Sequence, residues 1–303
     1  MSRRIVVRVP ATSANLGPGF DCLGLALNLW NETVFTLEGE RLQLSNSGEG
    51  LNIPTDERNL VVQAMRFFCD ERGLPFPRGV QIRCHNEIPL GSGLGSSAAA
   101  VITGLLGASA LLDQPLDTDE VLALSARMEG HADNAAAALL GGLVIVAAGR
   151  SGWITRRVAI PDHAVALVLP DVNLPTHAAR AALPTEVSMK DATFNLGRAI
   201  LVVEALRAGD LDLLRQAVDD RLHLPYRLPL IPGGQDALED AYTAGARAVT
   251  ISGAGPSLIA FTENAGAAEQ VAAAMTAAFL AQRVVSRAFL LHTTQQGASV
   301  SGS

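Results

Sequence analysis

The chain has 303 residues, of which 49% are hydrophobic, 17% charged and 4% aromatic, and its net charge is −7. This composition excludes a disordered chain, and the length predicts two domains. The acidic balance and the few aromatic residues argue against nucleic acid or an anionic membrane surface as the main partner.

Cysteine usage and apolar runs predict a cytoplasmic protein. The apolar run at residues 5–7 is broken by Arg8, so it is shorter than a signal peptide requires. Residues 98–112 contain glycine and polar residues and are interpreted as a buried helix, not as a membrane span. The three cysteines form no metal-binding pattern and are expected to be reduced thiols: Cys22, Cys69 and Cys84.

Hydrophobic periodicity predicts mixed strands and helices in the first half of the chain. Asp56 is a candidate cap for the first helix and Gly73 its stop, while Asp117 with Glu120 predicts a capping box. We expect strands at residues 5–9, 80–84, 143–148, 153–160 and 165–169, and helices at residues 55–72, 118–129, 132–140 and from Ser96.

The second half repeats this mixture after a candidate domain seam at residues 170–175. Helices are expected near residues 195–208, 211–220, 235–249 and 267–282, with strands near Thr250, 258–261 and 284–290. Such a pattern indicates an α/β or α+β architecture in two layers. We place the domains at residues 1–170 and 171–303.

A glycine- and serine-rich loop follows the strand at 80–84 and opens a helix: Pro89, Leu90, Gly91, Ser92, Gly93, Leu94, Gly95, Ser96, Ser97 and Ala98. Glycines let backbone N–H groups converge on one point, and the helix N-terminus adds positive charge there. Ser96 and Ser97 also suit the N-cap position. The loop therefore predicts a phosphate-binding site.

Other interpretations of this loop are weaker. A Walker A loop needs a lysine, and Lys190 is the sole lysine of the chain. A dinucleotide-binding fingerprint needs a different glycine spacing and a later acidic residue. A plain strand-to-helix turn would be equally good for the glycines, but the paired serines and the alanine-rich continuation favour phosphate.

Four segments together resemble the homoserine kinases of the GHMP kinase superfamily. They are the glycine loop, residues 10–21, residues 130–134 with Gly141 and Gly142, and residues 251–257. The resemblance implies an α+β, two-domain GHMP kinase fold, with a ribosomal protein S5 domain 2-like N-terminal domain and a ferredoxin-like C-terminal domain. It also implies ATP-dependent phosphorylation of the side-chain hydroxyl of L-homoserine to O-phospho-L-homoserine in threonine biosynthesis.

The same resemblance implies roles on the nucleotide side. The loop from Pro89 to Ala98 would bind ATP, Asn59 would contact adenine, and Ser97 with Glu129 would ligate Mg²⁺. Glu129 ends a helix where the dipole disfavours a carboxylate, which hints at function, although without the resemblance a solvated glutamate in the last turn would be the better interpretation. Asn59 could equally be an ordinary polar residue in the first turn of a helix.

On the substrate side, an amino acid needs an acid for its ammonium and arginine for its carboxylate. The resemblance assigns Asp21 to the ammonium, Arg180 and Arg227 to the carboxylate, and further substrate contacts to Asn15 and His131. Each such residue by itself would be ordinary on a protein surface.

For the reaction, the resemblance makes Asn134 a positioning group for the hydroxyl and Asp133 a supporting group. Relatives with an aspartate base leave open whether a dedicated base exists here. Residues 251–257 resemble the third motif of the family, a glycine motif that would pack beside the phosphate loop. Its residues include Ser252, Gly253 and Gly255.

Two alternatives remain open at this point: another GHMP kinase, acting on a mevalonate-pathway or sugar alcohol, and a non-catalytic ligand sensor. The expected partner is a small-molecule substrate, with no nucleic acid, no membrane and a possible homodimer.

Overall fold

A computed structural model describes residues 4–50 and 52–302. Its strands form a seven-stranded sheet and a four-stranded sheet. In chain order the strands are β1 (Arg4–Ala14), β2 (Leu23–Leu37), β3 (Gln43–Gly48), β4 (Val80–Asn86), β5 (Leu143–Ala148), β6 (Trp153–Val158), β7 (Ala164–Pro170), β8 (Ala248–Ile251), β9 (Leu258–Thr262), β10 (Ser286–His292) and β11 (Ser299–Gly302).

The large sheet has the order β11-β1-β2-β4-β3, with β5 joined to β2 and β6 to β5. The small sheet has the order β10-β7-β9-β8. The helices are α1 (Leu60–Arg72), α2 (Ser96–Leu111), α3 (Thr118–Glu129), α4 (Asp133–Leu140), α5 (Thr176–Ala181), α6 (Met189–Ala208), α7 (Leu211–Ala217), α8 (Leu224–Arg227), α9 (Gly234–Thr243) and α10 (Ala265–Ala281). This mixture confirms the predicted α+β class.

Strands β7, β8 and β9 of the small sheet are buried on both faces, which explains why β7 is apolar at nearly every position. Val165 and Leu167 point into the main hydrophobic core, whereas Ala166 and Val168 belong to a second core. This alternation follows from the two-residue repeat of a strand. The main core also contains α2, which is apolar all round and buried as expected. None of the described helices has the length and apolarity to cross a membrane.

Local sequence signals located several helix ends correctly. Helix α3 spans the predicted residues, with the capping box between Asp117 and Glu120. Helix α1 starts later than expected because Asn59 is its N-cap, and its side chain accepts from the Val61 N–H. Asp56 as a cap is therefore wrong; its carboxylate instead binds Arg58.

Two other expectations also differ from the structure. The helix predicted at 235–249 ends at Thr243, because residues 248–251 form strand β8. Strand β2 was not predicted, since its first five residues are all buried and show no alternation. The domain boundary at residue 170 stays a prediction. Strand β7 lies before this boundary but pairs in the small sheet, and strand β11 lies after it but pairs in the large sheet. Residues 1–3, 51 and 303 of the two predicted domains lie outside the described residues.

Candidate active site

The glycine loop connects β4 to α2 and lines a pocket between the two sheets. Gly91, Gly93 and Gly95 have φ values of 61°, 80° and 70°. Gly95 is the N-cap of α2 and no side chain caps this helix, so the expectation that Ser96 or Ser97 caps it is wrong. The first N–H groups of α2 are consequently left for a ligand, as phosphate binding requires.

Some residues of the loop make contacts inside the protein, and most of them line the pocket. Ser92 is buried, and its hydroxyl donates to the Pro89 carbonyl at 2.7 Å. The Leu94 side chain lies in the main core. Ser92 also lines the pocket, together with Gly91, Gly93, Gly95, Ser96, Ser97 and Ala98.

The third glycine motif packs directly against this loop, as expected. The Ser252 hydroxyl donates to the Gly93 carbonyl at 2.8 Å, and Gly253 and Gly255 line the pocket. A Cβ on Gly93 would lie 2.2 Å from the Ser252 carbonyl oxygen, and one on Gly95 would lie 2.0 Å from Thr12 Oγ1. These two positions therefore require glycine for close approach as well as for their φ angles.

Two side chains with oxygen atoms of the kind that ligate metal ions lie in contact beside the loop. The Ser97 hydroxyl donates to Glu129 Oε1 at 2.6 Å, and both residues line the pocket. No cluster of three His, Cys, Asp or Glu side chains suited to a metal occurs within the described ranges. A hydroxyl and one carboxylate fit Mg²⁺ when phosphate oxygens and waters complete its coordination.

The opposite wall of the pocket carries an ion pair and a buried arginine. Arg180 binds Asp21 through two hydrogen bonds, of 3.0 and 2.8 Å. Arg227 is 1% exposed and donates to the carbonyls of Ala179 at 3.2 Å and Gly253 at 3.3 Å. Burial, and then the charge of Arg180, lower the pKa of Arg227.

Among the described residues, no carboxylate lies within salt-bridge distance of the Arg227 guanidinium. A buried guanidinium of this kind is costly unless an anion binds it. The wall therefore presents a site for an anionic group.

The loop that carries Asp21 is held in an uncommon backbone conformation. Asn15, Leu16 and Asp21 have φ values of 71°, 50° and 54°. The Asn15 amide donates to the Gly253 carbonyl at 2.8 Å and accepts from the Asp21 N–H at 2.9 Å. Asn15 lines the pocket, and its amide stabilises the turn that presents Asp21. Such strain is typical of functional loops.

The polar floor of the pocket is a chain of hydrogen bonds. Thr12 Oγ1 donates to Asn134 Oδ1 at 2.8 Å. Asp133 Oδ1 accepts from the Asn134 N–H at 2.8 Å and lies 3.0 Å from His131 Nδ1. This hydrogen bond to Asp133 raises the pKa of His131. Asp133 thus contacts both the ring of His131 and the amide groups of Asn134.

Comparisons with known proteins agree with this geometry. Residues 59–142 match the family model described as the GHMP kinases N terminal domain, and residues 202–281 match GHMP kinases C terminal. A homoserine kinase from Moorella thermoacetica is 44% identical over 90% of this chain and 92% of its own length. A homoserine kinase from Prochlorococcus marinus is 42% identical over 99% of this chain and 96% of its own length.

The chain belongs to the GHMP kinase family. The crystal structure of homoserine kinase from Cytophaga hutchinsonii matches with a TM-score of 0.86 at 31% identity, covering 98% of this chain and 97% of that one. The crystal structure of L. major mevalonate kinase in complex with R-mevalonate matches with a TM-score of 0.74 at 16% identity, covering 98% and 97%. At that identity the second likeness shows the fold. As a member of this kinase family, the protein uses ATP and a small-molecule substrate.

One expected nucleotide residue of this GHMP kinase lies outside the main pocket. Asn59 is 3% exposed and lines a neighbouring cleft that shares Gly91, Ser96 and Ser97 with the pocket. Its amide accepts from the Val61 N–H and donates to the Pro54 carbonyl, both at 2.9 Å. The structure thus makes Asn59 the N-cap of α1, just before the first turn, and also places it beside the phosphate loop.

Sequence reasoning missed several polar residues that hold this kinase site in place. Thr12 lies within residues 10–21, one of the four segments that resemble the family, so its position pointed to the site. Its hydrogen-bond partner Asn134 is distant in sequence. The wall of the pocket that carries Asp21, Arg180 and Arg227 is called the substrate wall below. A buried cluster of three side chains lies beside it: Asn195, Asp220 and His223. These three residues lie in no motif, and their role follows from the tertiary structure.

Proposed function

We propose that this protein is an ATP-dependent homoserine kinase, which transfers the γ-phosphoryl group of ATP to the side-chain hydroxyl of L-homoserine. The products are O-phospho-L-homoserine and ADP, and the reaction belongs to threonine biosynthesis. The names of the curated relatives support this proposal.

The observation that carries the proposal is the charge arrangement of the substrate wall. An amino acid brings one carboxylate and one ammonium group into the pocket. Its carboxylate would bind Arg227 and Arg180, and its ammonium would replace Arg180 at Asp21. Three new charge pairs would thus replace one, and the buried guanidinium would gain its anion. A neutral sugar would leave the buried guanidinium of Arg227 without an anion.

The contacts of Asn134 support its role in positioning the acceptor hydroxyl. Its Oδ1 accepts from Thr12 and its Nδ2 donates to Asp133 Oδ1 at 3.3 Å, which leaves the second N–H of Nδ2 for the acceptor hydroxyl. The hydroxyl oxygen bonds to the γ-phosphorus, the bond from that phosphorus to the bridging oxygen breaks, and a phosphate oxygen takes the hydroxyl proton. A loose transition state of this kind gains from orientation and charge stabilisation more than from a base.

Ser97 and Glu129 are the residues that would hold Mg²⁺, which neutralises charge on the transferred phosphoryl group when bound. Glu129→Gln should lower turnover most at limiting Mg²⁺. Full activity of this variant across a Mg²⁺ titration would remove Glu129 from the metal site.

The decisive test is ADP release with ATP and Mg²⁺ against L-homoserine, L-threonine, L-serine, mevalonate and galactose. Turnover well above the others with L-homoserine is expected. Preference for mevalonate or galactose would support another GHMP kinase activity, and ATP binding without turnover would support a ligand sensor. The cytoplasmic location and the homodimer also stay predictions, and a molar mass from light scattering would decide the second.

A further inference from the structure

A buried carboxylate organises the chain just before α8, next to the substrate wall. Asp220 Oδ2 accepts from the N–H groups of His223 at 2.8 Å and Leu224 at 2.5 Å. Its Oδ1 accepts from Asn195 Nδ2 at 2.6 Å and from the Leu222 N–H at 3.0 Å. Because four donors surround this carboxylate, the start of α8 is rigidly held.

The imidazole of His223 links this rigid segment to the loop that carries Asp21. His223 is fully buried, and its Nε2 lies 2.7 Å from the Gly17 carbonyl oxygen. A carbonyl only accepts, so Nε2 carries the proton and donates it. Burial lowers the pKa of His223, so the ring is neutral and Nδ1 is unprotonated. Within the described chain, Nδ1 has no hydrogen-bond partner.

His223 thereby touches both halves of the substrate wall. On one side, its carbonyl accepts from the N–H of Arg227 at 3.0 Å, and Arg227 ends α8 in the pocket. On the other side, Gly17 belongs to the loop that presents Asp21. The Phe20 ring lies 5.4 Å from the His223 ring and 5.1 Å from Arg227 Cζ, so it fills the space between the two sides.

We propose that His223 is a positioning residue for the substrate, whose Nε2–H bond to Gly17 sets the spacing between Asp21 and Arg227. This inference rests on the proposed function, because it concerns the residues that would bind the ammonium and carboxylate groups. His223 lies behind the wall and acts on the substrate through these residues. Loss of the hydrogen bond should therefore weaken substrate binding and leave the nucleotide side unchanged.

Three substitutions separate this role from a general contribution to stability. His223→Gln keeps an N–H donor at about the reach of Nε2, His223→Phe keeps a ring without the donor, and His223→Asn has an amide too short to reach Gly17. A matched control is His163→Phe, because His163 is also buried and its Nε2 also lies near a backbone carbonyl, that of Leu206, at 3.2 Å.

For His223→Phe and His223→Asn we expect KM for homoserine to rise about tenfold while KM for ATP changes less than about twofold. His223→Gln should recover most of the affinity, and His163→Phe should leave KM for homoserine unchanged despite any loss of stability. An unchanged KM for homoserine in a folded His223→Phe enzyme, equal rises in both KM values, or no recovery with Gln would overturn the proposal.

A measurement on the unmodified protein keeps the proposal testable if the variants fail to fold. With ¹⁵N-labelled histidine, the Nε2–H resonance of His223 should shift on addition of L-homoserine, whereas that of His163 should not. No shift at a homoserine concentration that supports turnover would overturn the proposal. Turnover by the unmodified enzyme is measured first, so the absence of homoserine-dependent ADP release would count against the proposed function and not against His223.

Discussion

The phosphate loop and the substrate wall face the same pocket, but they are built in different ways. The loop is one continuous segment between β4 and α2, and its ligand groups are backbone N–H groups. The wall brings together Asp21, Arg180 and Arg227 from three distant parts of the chain. It consists of charged side chains, two of which, Asp21 and Arg180, pair with each other.

This difference predicts how each region tolerates substitution. The loop depends on backbone conformation and close packing, so an added methyl group should be enough to damage it. The wall depends on charge, so substitutions that keep the shape but remove the charge should act on the substrate specifically. The following predictions test this contrast in order of decreasing effect.

Gly95→Ala should have the largest effect. The new Cβ would meet Thr12 Oγ1 at 2.0 Å and Asn134 Oδ1 at 3.1 Å, at a φ of 70°. We expect kcat/KM for ATP to fall on the order of 100-fold or more, since the N–H groups would move away from the phosphates. The control is Gly73→Ala, with a similar φ of 63° but open space around its Cβ, whose steady-state kinetics should remain near normal. Equal losses in both variants would mean that strain, not the loop, is responsible.

Arg227→Gln should weaken homoserine binding more than Arg180→Gln does. Arg227 is fully buried, whereas Arg180 is half-buried and already forms an ion pair with Asp21. We expect a rise in KM for homoserine of roughly 100-fold for Arg227→Gln and roughly tenfold for Arg180→Gln. Arg221→Gln is the control, because Arg221 pairs with Asp191 and does not line the pocket. A larger effect at Arg180 would reverse the order of importance proposed for the two arginines.

Thr12→Val should lower kcat by about tenfold with little change in either KM, because the hydroxyl orients Asn134 without lining the pocket. Thr12→Ser should restore the rate. Thr103→Val is the matched control, since the buried Thr103 hydroxyl donates to the Ala99 carbonyl of its own helix. A fall in kcat for Thr103→Val of the same size would assign the effect to folding.

The smallest effect concerns the pH dependence of stability. Burial lowers the pKa of His223, while the charges of Asp220 and Asp21 act in the opposite direction and Arg227 adds to the lowering. The unfolded chain therefore binds a proton that the folded chain does not, so stability falls as pH drops below about 6.5. His223→Gln should lose less unfolding free energy between pH 7.5 and 5.5 than the unmodified protein does. Urea titrations at the two pH values measure this difference, and identical losses would contradict a neutral buried His223.

The elements that sequence reasoning located well are those with local signals. The capping box of α3, the uninterrupted apolar face of α2 and the alternation in β4 depend on neighbouring residues, and all three were found. Strand β2 was missed because burial on both faces removes alternation. The start of α1 was misplaced because Asp56, the candidate cap, binds Arg58, while Asn59 caps the helix.

For the site, the sequence by itself determined the family and located the glycine loop, because glycine spacing and ordered motifs are properties of continuous segments. It also named the charged residues of the substrate wall. Only the tertiary structure decided that Arg180 binds Asp21 while Arg227 lacks a carboxylate partner among the described residues. It also decided that Thr12 contacts Asn134 and that His223 contacts Gly17. The physical reason is that side-chain pairing between distant segments depends on distances and burial, which exist only once the chain has folded.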